Sequence, residues 1–412
     1  MPLSAIATAW PLLLGMGVLM LGAGLQSTLL GVRGTSEGFS TTAIGVVMSC
    51  YYAGFLFGTT IAPRMIGRVG HVRVFAAFAA VAAVATLGQA VWVQPAFWAV
   101  MRLLSGVCFA GIYVVAESWL NDRATESNRS RLLAVYMVVL YVGLGASQFL
   151  LLASDLATDV PFMLIAALIC LAIVPLVLSA HPAPVVLTPR AVRYRDLYRL
   201  SPLGVVAVTM SGSMSAIVFS LGSVYARLSG MDTAAIATFM SANILAGVVT
   251  QYPIGALADR MDRRAVTAGV CALSTALFFG IVFWADMPRP LLLLLSAIAS
   301  GLVLTIYSLG ISHVNDRLDP SEMVAASSAL LLLNGAAAVL GPILAASAMG
   351  RFQATAYFAT LGTLSAALTL FCLWRRSRRA PVPREQRGPF ITAQPETSAA
   401  IVDAPSGAAK VD

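Results

Sequence analysis

The feature that most constrains this chain is a recurrence of uncharged, apolar blocks about as long as a bilayer is thick. A helix rises about 1.5 Å per residue, so about twenty residues cross a hydrocarbon core of about 30 Å. Twelve such blocks can be read, with approximate limits 10–31, 41–63, 73–93, 95–119, 131–153, 160–180, 202–226, 233–257, 265–285, 289–313, 323–347 and 352–374. Only 11% of residues are charged, against about a quarter in a soluble protein. Blocks of this length read as helices, whose backbone groups are all satisfied within the segment. The expected class is an all-α polytopic membrane protein with twelve transmembrane helices.

The blocks divide six and six. Residues 181–201 carry Pro182, Pro184, Pro189 and four arginines, so they read as a linker between a first bundle (1–180) and a second (202–374). Residues 375–412 are rich in Arg, Pro, Ala and Ser, and a largely disordered tail is expected there. Met1-Pro-Leu-Ser offers no basic leader, so the first apolar block is expected to remain as a helix.

The net charge of +8 is a topology signal. One set of loops holds Arg64, Arg68, Arg73, Arg123, Arg129, Arg131, Arg190, Arg193, Arg195, Arg199, Arg260, Arg263, Arg264 and Arg317, and the tail adds six arginines and Lys410. The opposite set holds Arg33, Arg227, Arg289 and Arg351. Basic loops stay inside, so both termini are expected in the cytoplasm and the membrane is expected to be the cell inner membrane. The bilayer accounts for this charge, and no nucleic-acid partner is expected.

Two charged motifs recur at nearly one offset. Gly255-Ala-Leu-Ala-Asp259-Arg260-Met-Asp262-Arg263-Arg264 joins the eighth and ninth blocks, and Pro63-Arg64-Met-Ile-Gly67-Arg68-Val-Gly70-His71-Val-Arg73 echoes it in the first half. Asn121-Asp122-Arg123 is matched by Asn315-Asp316-Arg317. Arg68 and Arg260 stand 192 positions apart, and Asn121 and Asn315 stand 194 apart, which argues for a duplicated chain.

Six plus six spans with this loop after the eighth resemble the major facilitator superfamily of secondary transporters. Arg102-Leu-Leu-Ser-Gly106-Val-Cys-Phe-Ala-Gly111 resembles its fourth-helix motif, and Glu117-Ser-Trp119-Leu-Asn121 resembles the uncharacterised YcaD-type bacterial branch. The resemblance implies two pseudo-symmetric six-helix bundles and alternating access around a central cavity. It implies spans 1, 4, 7 and 10 along the cavity, with 2, 5, 8 and 11 between the bundles. Two departures stand out. Gly67 occupies the position of Asp259, so the first loop lacks the acidic member. The fifth span lacks the glycine–proline signature of proton-coupled drug antiporters, and Gly341-Pro342 lies in the eleventh instead.

Arg102 is the sharpest candidate. An arginine at mid-helix costs about 2.5–3.5 kcal/mol to insert, so it faces protein or a wet cavity. It reads as an anion-binding or coupling residue, or as a structural arginine held by carbonyls and polar groups of the first span. Glu117, with Tyr113 one turn away, is the best available group for proton coupling, or else a helix-end carboxylate paired near Arg123. Gln26, Asn243, Gln251 and Asn334 sit on small-plus-amide stripes that either line the cavity or bind helices together. Ser211-Gly-Ser-Met-Ser215 either breaks the seventh span or bonds its own backbone.

The charged loops read as cytoplasmic gates. Asp259, flanked by Gly255, Arg260, Arg263 and Arg264, is expected to reach Arg129 and Arg131 at the start of span five. Arg68 and Arg73 are expected to reach Glu322 at the start of span eleven. Ordinary solvated loop charge is the other reading.

Cys50, Cys108, Cys170, Cys271 and Cys372 are dispersed in apolar runs, and His71, His181 and His313 have no ligand spacing, so neither metal nor cofactor is expected. No P-loop, dinucleotide fingerprint or nucleophile elbow appears, which speaks against ATP-driven transport and against an enzyme. The expectation is a monomeric secondary transporter exporting or exchanging an amphiphilic or anionic small molecule. A proton-coupled importer of a small metabolite is the alternative. A non-transporting scaffold or receptor is the alternative from another class.

Overall fold

The computed structural model of the chain describes residues 3–123, 129–178, 194–284, 286–318 and 322–378, together with Gly388 and Phe390. Among the described residues twelve helices are long and apolar enough to cross a membrane: Ala9–Ser36, Thr41–Val69, His71–Val91, Pro95–Asn121, Arg131–Leu152, Val160–Val177, Pro202–Leu228, Thr233–Arg260, Arg263–Phe283, Arg289–Asn315, Ala325–Arg351 and Ala356–Arg376. They are spans one to twelve below. Several outrun the apolar blocks, because a helix that leaves the hydrocarbon keeps its internal hydrogen bonds. Span two thus continues through Arg64 and Arg68 to Val69. Most of the linker and most of the tail beyond Arg378 lie outside the described residues. Tyr194–Leu200 of the linker is a short helix, and Gly388 and Phe390 of the tail, where disorder was expected, are docked on the second bundle.

The duplication is written into the helix starts. Ser40 caps span two by accepting a hydrogen bond from Ala43 N (3.2 Å), and Asp232 caps span eight by accepting one from Ala235 N (2.7 Å). Each cap satisfies an orphan N–H of the first turn. Just before them, Gly38 (φ +76) and Gly230 (φ +72) make the turns in the left-handed region, where a side chain is strained. Both pairs are 192 positions apart, the offset of the charged loops.

Within the first bundle, spans two and four approach closely. A Cβ on Gly54 would stand 1.9 Å from Leu103 O, and one on Gly106 would stand 2.0 Å from Tyr51 O. This contact sets Arg102 against span two. In the second bundle the corresponding pair, spans eight and ten, is joined by Thr250 Oγ1 donating to Gly301 O (2.8 Å). Span seven is one continuous helix, because Ser211 and Ser215 turn their hydroxyls onto Val208 O and Gly212 O of the same helix.

The bundles meet along spans one and seven, two and eleven, and five and eight. Ser27 Oγ donates to Phe219 O (3.0 Å), and the Tyr52 and Ser220 hydroxyls lie 3.3 Å apart. Gly45 packs against Pro342 and Ala346. None of these contacts lies at the end that carries the arginine-rich loops.

Candidate functional site

A cavity lies between the bundles. Its walls are formed by spans one, two, four and five from the first half, and seven, eight and eleven from the second. Span ten contributes no lining residue, contrary to expectation. Its middle is covered by span eight, where Gln251 Nε2 donates to Ser308 Oγ (3.2 Å). Spans five and eight, expected at the bundle interface, also line the cavity, as do spans two and eleven, expected there too. The close packing of spans two and eleven against spans four and seven turns Tyr51, Tyr52, Phe55 and Asn334 inward.

Arg102 forms the charged pole of the cavity and is 3% exposed. Its Nη1 donates to Gln26 Oε1 (3.4 Å), and its guanidinium carbon sits 4.3 Å from the centroid of the Tyr51 ring. Such a ring attracts a desolvated cation by about 2 kcal/mol. Gln26 is oriented from behind, since its Nε2 donates to Thr86 Oγ1 (2.9 Å) and Gln89 Oε1 (3.1 Å). Trp98 Nε1 in turn donates to Gln89 O (2.9 Å). The amide oxygen of Gln26 is thereby aimed at the guanidinium. Thr86 and Gln89 were missed in the sequence, although two polar residues three apart in an apolar span were the available signal.

Around this pole stand Tyr52, Phe55, Phe109, Tyr113, Tyr141 and Phe219. Tyr113 is held in the wall by its hydroxyl, which donates to Met20 Sδ (3.2 Å). Across the cavity Asn334 lines the second-half wall, with its Nδ2 donating to Val208 O (2.8 Å) and Ser211 Oγ (3.1 Å). Among the described residues the lining contains no Asp or Glu. The arrangement is one guanidinium, a set of aromatic faces, and an uncharged polar wall opposite.

Gln26, Arg102, Tyr113 and Asn334 are thus brought together, and three other candidates are not. Asn243 is buried and donates to Phe239 O of its own helix (2.7 Å). Gln251 binds span ten. Glu117 lies in span four outside the lining, 0% exposed, with its carboxylate within electrostatic reach of the Tyr307 hydroxyl on span ten.

A family model of the Major Facilitator Superfamily matches residues 12–197 and 203–405. The chain belongs to the Major Facilitator Superfamily. It is 29% identical over 379 residues to the uncharacterised MFS-type transporter Ent638_1421 of Enterobacter sp. (strain 638), covering 90% of this chain and 96% of that one. Uncharacterised YcaD of Shigella flexneri is also 29% identical, over 381 residues and the same shares. The fold is shared with the nucleoside transporter NupG (TM-score 0.76, 13% identity, 90% of this chain and 100% of that one). It is also shared with a bacterial homologue of the human lysosomal transporter Spinster in an inward-facing, unoccupied conformation (TM-score 0.69, 13% identity, 90% and 95%). The protein is therefore a multi-pass membrane protein of a secondary-transporter family.

In this superfamily member the second charged loop is built around Arg263, which is 2% exposed. Its Nη1 donates to Ser312 O (2.9 Å) and Asp316 Oδ1, and its Nη2 to Asp259 Oδ1 (3.3 Å) and Gly388 O. Arg264 is held by Asp262, which also caps span nine by accepting from Arg264 N (3.1 Å). Gly255 lies under the Phe390 ring, and Arg260 is exposed. In this conformation the partners of Asp259 among the described residues are Arg263 and the tail, and Arg131 is not one of them. Arg68, Arg73, Arg131 and Glu322 are exposed and form no ion pair among the described residues. The side chain of Arg129 lies outside the described residues.

Proposed function

We propose that this transporter exports or exchanges an amphiphilic or anionic small molecule across the inner membrane, with both termini in the cytoplasm. The observation that carries this reading is the placement of Arg102 in the cavity wall, clamped by Gln26 and backed by Tyr51, among aromatic faces and with no carboxylate among the described lining residues. A guanidinium offers a planar fork to a carboxylate or phosphate, and the aromatic residues cover an apolar body. The uncharged opposite wall, with Asn334, suits the remaining polar groups of such a solute. The excess of arginine on one set of loops supports the orientation.

The test is thermal unfolding of the purified protein in detergent against a panel of organic anions, matched neutral analogues and cations. A ligand that binds only the folded state stabilises it by about 2.7 kcal/mol at a hundred times its Kd. An organic anion is expected to raise the Tm of wild type, less so Arg102→Lys, and not Arg102→Gln. Equal stabilisation of wild type and a folded Arg102→Gln, or stabilisation by cations alone, overturns the assignment.

A proton-coupled cycle would use Glu117, a carboxylate buried in span four within electrostatic reach of Tyr307. Glu117→Gln is then expected to abolish pH-gradient-driven accumulation while leaving gradient-free exchange intact in proteoliposomes. Loss of both, or of neither, removes the coupling role.

A further inference from the structure

The charged loop between spans eight and nine holds a segment of the chain's own tail, and the contact has the form of a peptide-binding site. Gly388 N donates to Asp316 Oδ1 (3.1 Å), Gly388 O accepts from Arg263 Nη2, and Phe390 N donates to Asp259 Oδ1 (2.9 Å). Two buried or half-buried carboxylates thus take main-chain N–H groups while the guanidinium between them gives to a carbonyl. The side chain of Asp316 is only 2% exposed, and that of Asp259 is 48% exposed. The Phe390 ring rests on Gly255, where a Cβ would come within 2.7 Å of it, and joins the apolar residues packed on the core. Backbone recognition by paired donors and acceptors needs no particular side chain at 388, and a Cβ there would meet nothing within 4 Å.

We infer that Gly388 and Phe390 together form an intramolecular ligand of this loop and act as a brake on closure of the arginine-rich end. The inference rests on the gate reading of Asp259. Asp259, whose carboxylate takes Phe390 N, is the side chain that gate would offer to Arg131 at the start of span five, and the Phe390 ring covers Gly255 one turn before it, so docking of the tail and closing of the gate draw on the same face of the loop. The contact is consistent with the rest of the molecule. The bundles are joined away from this end, and Arg131 is exposed here.

Spin labels in full-length protein lacking its native cysteines test the inference. One label at Gly388→Cys reports tail docking, and a pair at Gly67→Cys and Leu257→Cys, both exposed positions, reports the separation of the bundles at this end. The tail label is expected to be immobilised in wild type and freed by Phe390→Ala, and the same substitution is expected to shift the pair toward shorter distances. A tail label mobile in wild type overturns the docking, and a freed tail with unchanged pair distances overturns the brake. Adding Arg131→Ala to Phe390→Ala separates the two readings. Reversal of the shortening supports gate and brake together. Shortening that persists leaves the brake standing and removes Arg131 as its competitor.

Discussion

The two halves of this protein share a scaffold and place their charges at opposite depths. In the first half the charge is in the cavity, at Arg102. The position 194 residues on holds Ser296, whose hydroxyl bonds Leu293 O of its own helix (3.1 Å). At the arginine-rich end the order reverses. The second half has a buried Arg263–Asp316 pair that Asp259 joins from its half-exposed position, while the first half has Gly67 where the acid would be, and Arg68 and Arg73 stand in solvent. Duplication supplied the same helix starts and turns to both halves. What differs is where the buried guanidinium sits, in the cavity wall in the first half and in the charged loop in the second. A membrane protein tolerates a buried charge only where a local network supports it, and Arg102 and Arg263 each have such a network, at different depths.

The comparison breaks most sharply at the loops. Arg263→Ala leaves Asp316 buried without its guanidinium, and such a loss costs about 3–5 kcal/mol. Arg68→Ala, at the matching loop, is expected to change stability by no more than about 0.5 kcal/mol. Unfolding of both variants in the same detergent measures the difference, and equal effects would show that the first loop has a buried network of its own.

A smaller effect is expected where the first half brings Arg102 to span two. Gly106→Ala drives a methyl into Tyr51 O, and overpacking of this kind costs about 1–3 kcal/mol. Because Tyr51 backs the guanidinium, the variant is expected to weaken anion binding by more than its loss of stability predicts for a remote site. A stability loss with unchanged anion affinity would separate the packing of Tyr51 from the charged pole.

The smallest effect sharpens the contrast. Gly67→Asp restores the acid that the first loop lacks, at an exposed position with nothing near its Cβ. A surface pair there is worth about 0–1 kcal/mol and fades with salt. A gain of several kcal/mol, persistent at high salt, would mean that the two loops are structurally equivalent after all.

Much of the fold was legible because a bilayer imposes one length on every span, and because the repeat in the charged loops survives in the turns at Gly38 and Gly230. The charged pole was legible because an arginine inside an apolar block is costly wherever it points. The aromatic wall was not. Tyr51, Phe55 and Phe109 read the same whether they face lipid, core or cavity, and only the approach of spans two and four turns them inward. The amide stripes were ambiguous for a related reason. Asn243 turns its Nδ2 onto a carbonyl of its own helix and Gln251 its Nε2 onto a neighbouring hydroxyl, whereas Gln26 and Asn334 are held by other spans at the cavity face. Gly388 and Phe390 could not be foreseen, since recognition through main-chain groups leaves little trace in side-chain composition.

The most direct measurement of the central claim is exchange in proteoliposomes. Vesicles loaded with an unlabelled organic anion that stabilises wild type would be diluted into its labelled form, and uptake followed for wild type, Arg102→Lys and Arg102→Gln. The account predicts rapid exchange by wild type, reduced exchange by the lysine variant and none above empty vesicles for the glutamine variant, with all three proteins folded. Wild-type exchange rates in a folded Arg102→Gln would contradict it.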